Sequence, residues 1–304
     1  MQVKRRKLIT IKLVGGLGNQ LFGYFFGQSL DMPVRYDISD QAHSLGAQKV
    51  SISDLDIPGK FGVFRNRFLS IVPDKFAHLK CLLSKLAKIY ACFFGISRSY
   101  FSKTVGFDSA LNFDLGNYRY VEGYFQSYLY VDSALKRNID LRKIELVTES
   151  SWFKLMKALL VETNPIVVHV RRGDYSNLKN TFGILSDEYY FNAIQELAQR
   201  NEINQPIWIF SDEPHIVRES MPKMMSLNPL LVEAPISVSP AESLILMSYA
   251  NVLVIANSTF SWWAAWLNQG NKLVIAPDKW FRALPDPEYL LPPNWERRES
   301  LWSD

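Results

Sequence analysis

The chain has 304 residues, 48% hydrophobic and 21% charged, which excludes a disordered protein and suits two domains better than one core. A formal charge of +4, clustered only at Lys4, Arg5, Arg6 and Lys7, argues against a nucleic-acid partner, because no helix or face is strongly basic. Cys81 and Cys92 are the only cysteines, so a disulfide framework is not implied and a reducing cytoplasm is expected.

The basic start is not followed by a signal-type apolar core, since Lys12 and a glycine loop interrupt it, and no secretory signal is read. No apolar run approaches the roughly 18–20 residues of a membrane span. Residues 8–14 read as a buried strand, Gly15-Gly16-Leu17-Gly18-Asn19-Gln20 as a glycine turn, and 21–30 as the helix after it. That order brings backbone N–H groups close to a ligand. Asp37 mimics the acidic residue of a dinucleotide fingerprint, but Leu21 stands where the third glycine would be.

Residues 38–75 are turn-rich and carry Asp54-Leu55-Asp56, the form of a metal-binding Asp-x-Asp; a solvated turn is the preferred reading. His78 and Cys81 have ligand-like spacing without a second pair, so no metal is expected. The stretch 76–96 is apolar with Lys80, Lys85 and Lys88. It is read as a helix packed on its own domain, with peripheral contact to anionic lipid as the alternative. The aromatic run 118–130 suits a core or domain interface, or stacking on sugar rings. Residues 137–163 read as helical and polar, crossing into the second domain.

From Pro165 the pattern becomes regular. Strands at 166–170, 207–211, 252–256 and 273–276 alternate with helices at 187–200, 240–250 and 260–268, and 230–233 offers another strand. The expected fold is therefore α/β. Two facing Rossmann-like domains, residues 1–150 and 151–304, would enclose a ligand cleft, with the tail after about 280 packing back on the first.

Polar groups gather at the strand ends, where open parallel sheets bind ligands. His169, Arg171, Arg172, Gly173 and Asp174 follow the first of these strands. Two guanidiniums there suit an anion, because the planar fork pairs phosphate oxygens bidentately and stays charged. Asp212 ends the next strand, placed to accept from a guanine edge or a ribose hydroxyl, or to cap the following helix. Ser258, Thr259, Phe260 and Ser261 open a helix whose free N–H groups make a phosphate site.

Together, Gly15 to Phe22, His169 to Tyr175, Phe210-Ser211-Asp212-Glu213 and Asn257 to Trp263 resemble the bacterial α-1,2-fucosyltransferases of glycosyltransferase family 11, from about residue 10 to 280. The resemblance implies a GT-B architecture and an inverting, metal-independent enzyme. It would move L-fucose from GDP-β-L-fucose to the 2-hydroxyl of a terminal β-galactoside on a surface glycan of O-antigen type. It further implies Arg171 on the β-phosphate, Arg172 beside it on the donor nucleotide, Asp174 orienting these arginines or deprotonating the acceptor hydroxyl, and His169 and Asp212 on the guanosine. Ser258, Thr259, Phe260 and Ser261 would line the phosphates, with Gly16 and Gly18 close to the nucleotide and Asn19 as the catalytic asparagine. No cofactor is implied, and the expected location is the cytoplasm or the inner membrane face. The competing readings are a related fucosyltransferase of other linkage, a nicotinamide oxidoreductase, or a non-catalytic glycan binder using the 118–130 aromatics.

Overall fold

The computed structural model describes residues 8–39, 52–64, 99–112, 115, 118–173, 178–200, 205–267 and 272–303. The Lys4–Lys7 cluster, the 76–96 stretch, His78, Cys81, Cys92 and Asp174 lie outside the described residues.

The first sheet takes strands β1 (Ile9–Lys12), β2 (Val34–Asp37), β4 (Phe61–Gly62), β5 (Ser99–Phe101) and β6 (Tyr120–Glu122), in the order β4-β2-β1-β6-β5. All of its strands run parallel. A separate antiparallel pair joins β3 (Leu55–Asp56) to β7 (Glu145–Leu146). The second sheet takes β8 (Ile166–Val170), β9 (Ile207–Ser211), β10 (Leu230–Val232), β11 (Val252–Val254), β12 (Leu273–Pro277) and β13 (Glu296–Arg298). It too is wholly parallel, in the order β10-β9-β8-β11-β12-β13. Counted from β8, that is the dinucleotide-fold order 3-2-1-4-5-6, which reverses direction between β8 and β11. Two Rossmann-type sheets make this a GT-B architecture.

The helices are α1 (Leu17–Ser29), α2 (Tyr128–Arg137), α3 (Ser151–Thr163), α4 (Asp187–Gln199), α5 (Pro214–Ser220), α6 (Pro222–Met225), α7 (Pro240–Ser248) and α8 (Thr259–Trp266). None of them is long and apolar enough to cross a membrane.

Three expectations change. The 137–163 segment is a short 3₁₀ turn (Ile139–Arg142), strand β7 and helix α3, with Asn138 accepting from the Asp140 N–H and Ser150 from the Phe153 N–H to start the turn and the helix. Helix α1 starts at Leu17, so Gly18, Asn19 and Gln20 are helical and the tight turn is Gly15-Gly16 alone, with Gly15 at φ 69°. Asp54 is not a solvated turn residue: its Oδ2 accepts from Ser239 Oγ at 2.5 Å, joining the two halves of the chain. A second such tie runs from the Ser150 N–H to Glu242 Oε2 at 3.1 Å.

One apolar cluster spans both halves, and its centre is the contact of α1 with α8. Phe22 meets Trp262 and Trp263 at ring-centroid distances of 4.6 and 5.0 Å, and Phe25 meets Trp263 at 4.7 Å. Trp263 donates its indole N–H to the Gly18 carbonyl at 2.8 Å, so this bulky ring is buried without a polar orphan. Gly18 is required by proximity, since a Cβ there would lie 2.5 Å from the Thr259 carbonyl carbon and 2.7 Å from the Phe260 nitrogen. The chain near the C-terminus also returns to the first half: Phe107 N–H donates to Glu288 O and Tyr128 N–H to Tyr289 O.

The Gly18→Ala variant should therefore lose stability by about 1–3 kcal/mol, the usual cost of overpacking. Chemical denaturation is the check, and an unchanged midpoint would mean that α1 and α8 separate freely.

Candidate active site

The site forms where the carboxyl end of the second sheet faces the glycine turn of the first. Strand β8 is buried at every position, so Arg171 is the first residue after it that can reach solvent. The loop that follows is gripped by Asp212 from the end of β9. One carboxylate oxygen accepts the Arg172 backbone N–H at 2.9 Å, and the other pairs with Arg171 Nη1 at 3.0 Å. Gly173 sits so close to that carboxylate that a Cβ would lie 2.3 Å from Asp212 Oδ2.

The two arginines diverge. Arg171 lines the cavity with its side chain 27% exposed. Arg172 is turned inward and buried, its Nη1 donating to the carbonyls of Arg171 and Leu185 at 3.1 and 3.0 Å. It belongs to the scaffold under the loop, and the expectation that it contacts the nucleotide is corrected. Ser261 is corrected in the same way, since its hydroxyl is fully buried and bonds to the Ala256 and Ser258 carbonyls.

Ser258, Thr259 and Phe260 do line the cavity. Ser258 caps α8, accepting from the Phe260 N–H at 3.4 Å. Asn257 is buried and donates to the carbonyls of Phe182, Gly183 and Trp280, which fixes the loop before that helix. Gly16, Gly18 and Asn19 complete the opposite wall. Helices α1 and α8 thus both begin at the cavity, and neither has an acidic residue in its first turn. Gly16 also gives α1 no side-chain cap. Two positive helix ends beside one guanidinium make an anion site.

The cavity holds about 600 Å³. Its lining also includes the apolar Phe210, Val232, Ala234, Pro235 and Val238, with the polar Ser211, Glu233 and Ser243 among them. His169 lines the cavity too, 4% exposed, with its ring centroid 5.7 Å from that of Phe260. Burial, with the neighbouring Arg171 charge, pushes its imidazole down to about 3, so it is neutral at physiological pH. Its Nδ1 has no hydrogen-bond partner among the described residues.

One other sequence candidate is used elsewhere. Asp37 is buried and accepts from Ser39 N–H, Phe64 N–H and the Tyr120 hydroxyl, so it does not present a ribose ligand to the cavity. Among the described residues no cluster of three His, Cys, Asp or Glu side chains could hold a metal ion. One polar residue was missed: Gln126, within the aromatic run, donates to the Asn19 side chain at 3.0 Å. It stands in an otherwise mostly aromatic stretch, which gave no hint of it.

Known proteins place the chain. It is 25% identical to the alpha-1,2-colitosyltransferase of Escherichia coli over 286 residues, covering 90% of this chain and 92% of that one. It is 32% identical to the O-antigen biosynthesis glycosyltransferase WbnK of Escherichia coli over 165 residues, 52% of this chain and 54% of the other. It is 23% identical to a galactoside 2-alpha-L-fucosyltransferase of Caenorhabditis elegans over 95% of this chain and 79% of that one. Among solved structures it is similar to the fucosyltransferase NodZ from Bradyrhizobium, at TM-score 0.42 and 12% identity over 86% of this chain and 92% of the other. The sequence model of glycosyl transferase family 11 matches residues 94–296, a span that includes the arginine loop, Asp212 and the Ser258 helix cap. The chain belongs to glycosyl transferase family 11.

Proposed function

We propose that the chain transfers L-fucose from GDP-β-L-fucose to the 2-hydroxyl of a terminal β-galactoside, with inversion and without a metal ion. The observation that carries this reading is the convergence of Arg171 and two helix N-termini on one cavity. The names of several relatives, galactoside 2-alpha-L-fucosyltransferases and an O-antigen glycosyltransferase, supply the sugar and the acceptor class. An O-antigen-type glycan at the inner membrane face is the acceptor we favour.

The diphosphate lies between Arg171 and the first turns of α1 and α8, and the guanine occupies the part of the cavity lined by Phe210, Val232 and Val238. As the bond from the anomeric carbon to the β-phosphate oxygen breaks, negative charge builds on that oxygen. A guanidinium already held by Asp212 stabilises it without reorganising at the moment of reaction. The anomeric carbon becomes strongly electrophilic, and the acceptor oxygen bonds to it from the opposite face as the bond to the β-phosphate oxygen breaks, then gives its proton to solvent water while GDP leaves. Neutral His169 can hydrogen-bond the nucleoside without adding charge to the site.

A second donor has support of its own, because the relative matching nearly the whole chain is a colitosyltransferase. Colitose differs from fucose by lacking the 3-hydroxyl. Equal turnover of GDP-fucose and GDP-colitose would mean that no buried group reads that hydroxyl. A preference of several hundredfold would assign the donor, since a site built to bond a hydroxyl strongly rejects its deoxy analogue.

The central test is incubation with GDP-fucose, EDTA and a panel of β-galactosides, with the product linkage read by NMR. An α-1,2-fucoside formed at the same rate with and without chelator is expected, and a strict metal requirement would remove the arginine-based mechanism. The Arg171→Lys variant should stay folded and lose about a hundredfold or more in kcat, because an ammonium cannot reproduce the fork. Near-normal turnover would take Arg171 out of the site. A third expectation concerns acid stability. The folded His169 value of about 3 lies below its ordinary 6.5, so over that window the unfolded chain binds the extra proton. The stabilisation is complete above 6.5 and is lost as pH falls toward 3. Denaturation midpoints should therefore drop across this range, less steeply in His169→Asn; parallel curves would contradict the assignment.

A further inference from the structure

Strand β6 pairs with β1 at the centre of the first sheet, so the loop after β6 leaves the sheet beside the glycine turn. This loop is held firmly. Phe125 takes a left-handed φ of 52° and stacks on Phe26 at 3.9 Å, and the Gln126 N–H donates to the Val105 carbonyl at 2.8 Å. Gln126 is 6% exposed and donates from Nε2 to Asn19 Oδ1 at 3.0 Å. Its own Oε1 is buried with no hydrogen-bond partner among the described residues. An orphaned carboxamide oxygen is a cost to folding, and methionine would fill the space without it. The residue is therefore not explained by packing.

What the bond accomplishes is a choice between two orientations. With Oδ1 held by Gln126, the amide nitrogen of Asn19, a residue that lines the cavity, has no acceptor among the described residues. With Gln126 as it stands, turning the Asn19 amide alone would set two NH₂ groups against each other. We propose that Gln126 is a positioning residue that fixes Asn19 as a hydrogen-bond donor toward an oxygen of the reacting sugars or phosphate, an inference that rests on reading this cleft as the transfer site.

The Gln126→Glu variant separates this role from simple support. At pH 8 its carboxylate only accepts, so it draws the Asn19 nitrogen to itself and turns Oδ1 toward the cleft. The expected result is a fall of about a hundredfold in kcat, the usual cost of losing one preorganised donor, with KM for GDP-fucose little changed. Burial raises the pKa of the introduced carboxyl, and once protonated it can donate to Oδ1 again. Activity relative to the unaltered enzyme should then climb as pH falls, and it should not climb in Gln126→Ala. In protein labelled with ¹⁵N-asparagine, the Asn19 amide pair, identified by its loss in Asn19→Ala, should shift with the same midpoint. A flat activity ratio, or an amide pair that does not move, would overturn the proposal. The amide readout needs no donor, so a chain that ignores GDP-fucose would refute the proposed reaction and still decide the role of Gln126. Should Gln126→Glu fail to fold, Gln126→Met replaces it, tested alone and with Asn19→Ala. No further loss in the double variant is expected, and losses that multiply would overturn the proposal.

Discussion

The contact between α1 and α8 is the constraint on which the site depends. Each helix starts at the end of a central strand of its own sheet, and packing the two against each other brings both N-termini to one cavity. The approach is close because Gly18 has no side chain facing Thr259 and Phe260, and because Phe22, Phe25, Trp262 and Trp263 fill the space behind them. The Trp263 bond to the Gly18 carbonyl then fixes the depth of one helix against the other. Apolar burial supplies the attraction, and one directional bond supplies the register.

Around that contact the charged residues divide their work. Of two adjacent arginines only Arg171 reaches the cavity, while Arg172 spends its donors on buried carbonyls beneath the loop. Asp212 serves both, accepting the backbone of one and pairing the guanidinium of the other. A guanidinium restrained in this way loses little freedom when a phosphate arrives, which is what preorganised stabilisation requires. The neutral state of His169 fits the same scheme, since a second cation in so buried a place would repel Arg171.

The halves are also tied away from the cleft. Asp54 meets Ser239, Glu242 meets Ser150, and residues 288 and 289 bond the first half through Phe107 and Tyr128. The first two use side chains of polar segments that look like ordinary loops or caps and the last two use backbone groups, and each acquires its partner only from a distant part of the chain.

Much of the second half was legible in the sequence. Strands such as 166–170 and 252–254 are β-branched runs buried on both faces, and that composition is local information. Their polar ends could be read as an anion site because strand ends bind ligands in any parallel sheet. Strand β13 escaped detection because Glu296, Arg297 and Arg298 form a charged edge, held by ion pairs of Glu296 and Arg298 with Arg200 and Glu196. Local sequence specified which residues were available: the paired arginines, the glycine turn and the Ser258 helix cap. Only the tertiary structure decided their direction. It turned Arg172 and Ser261 inward, committed Asp212 to the arginine loop, and set Gln126 against Asn19 from 107 positions away. The physical reason is that composition and periodicity report whether a residue is buried, whereas a side chain's aim depends on partners that only the folded chain brings within reach.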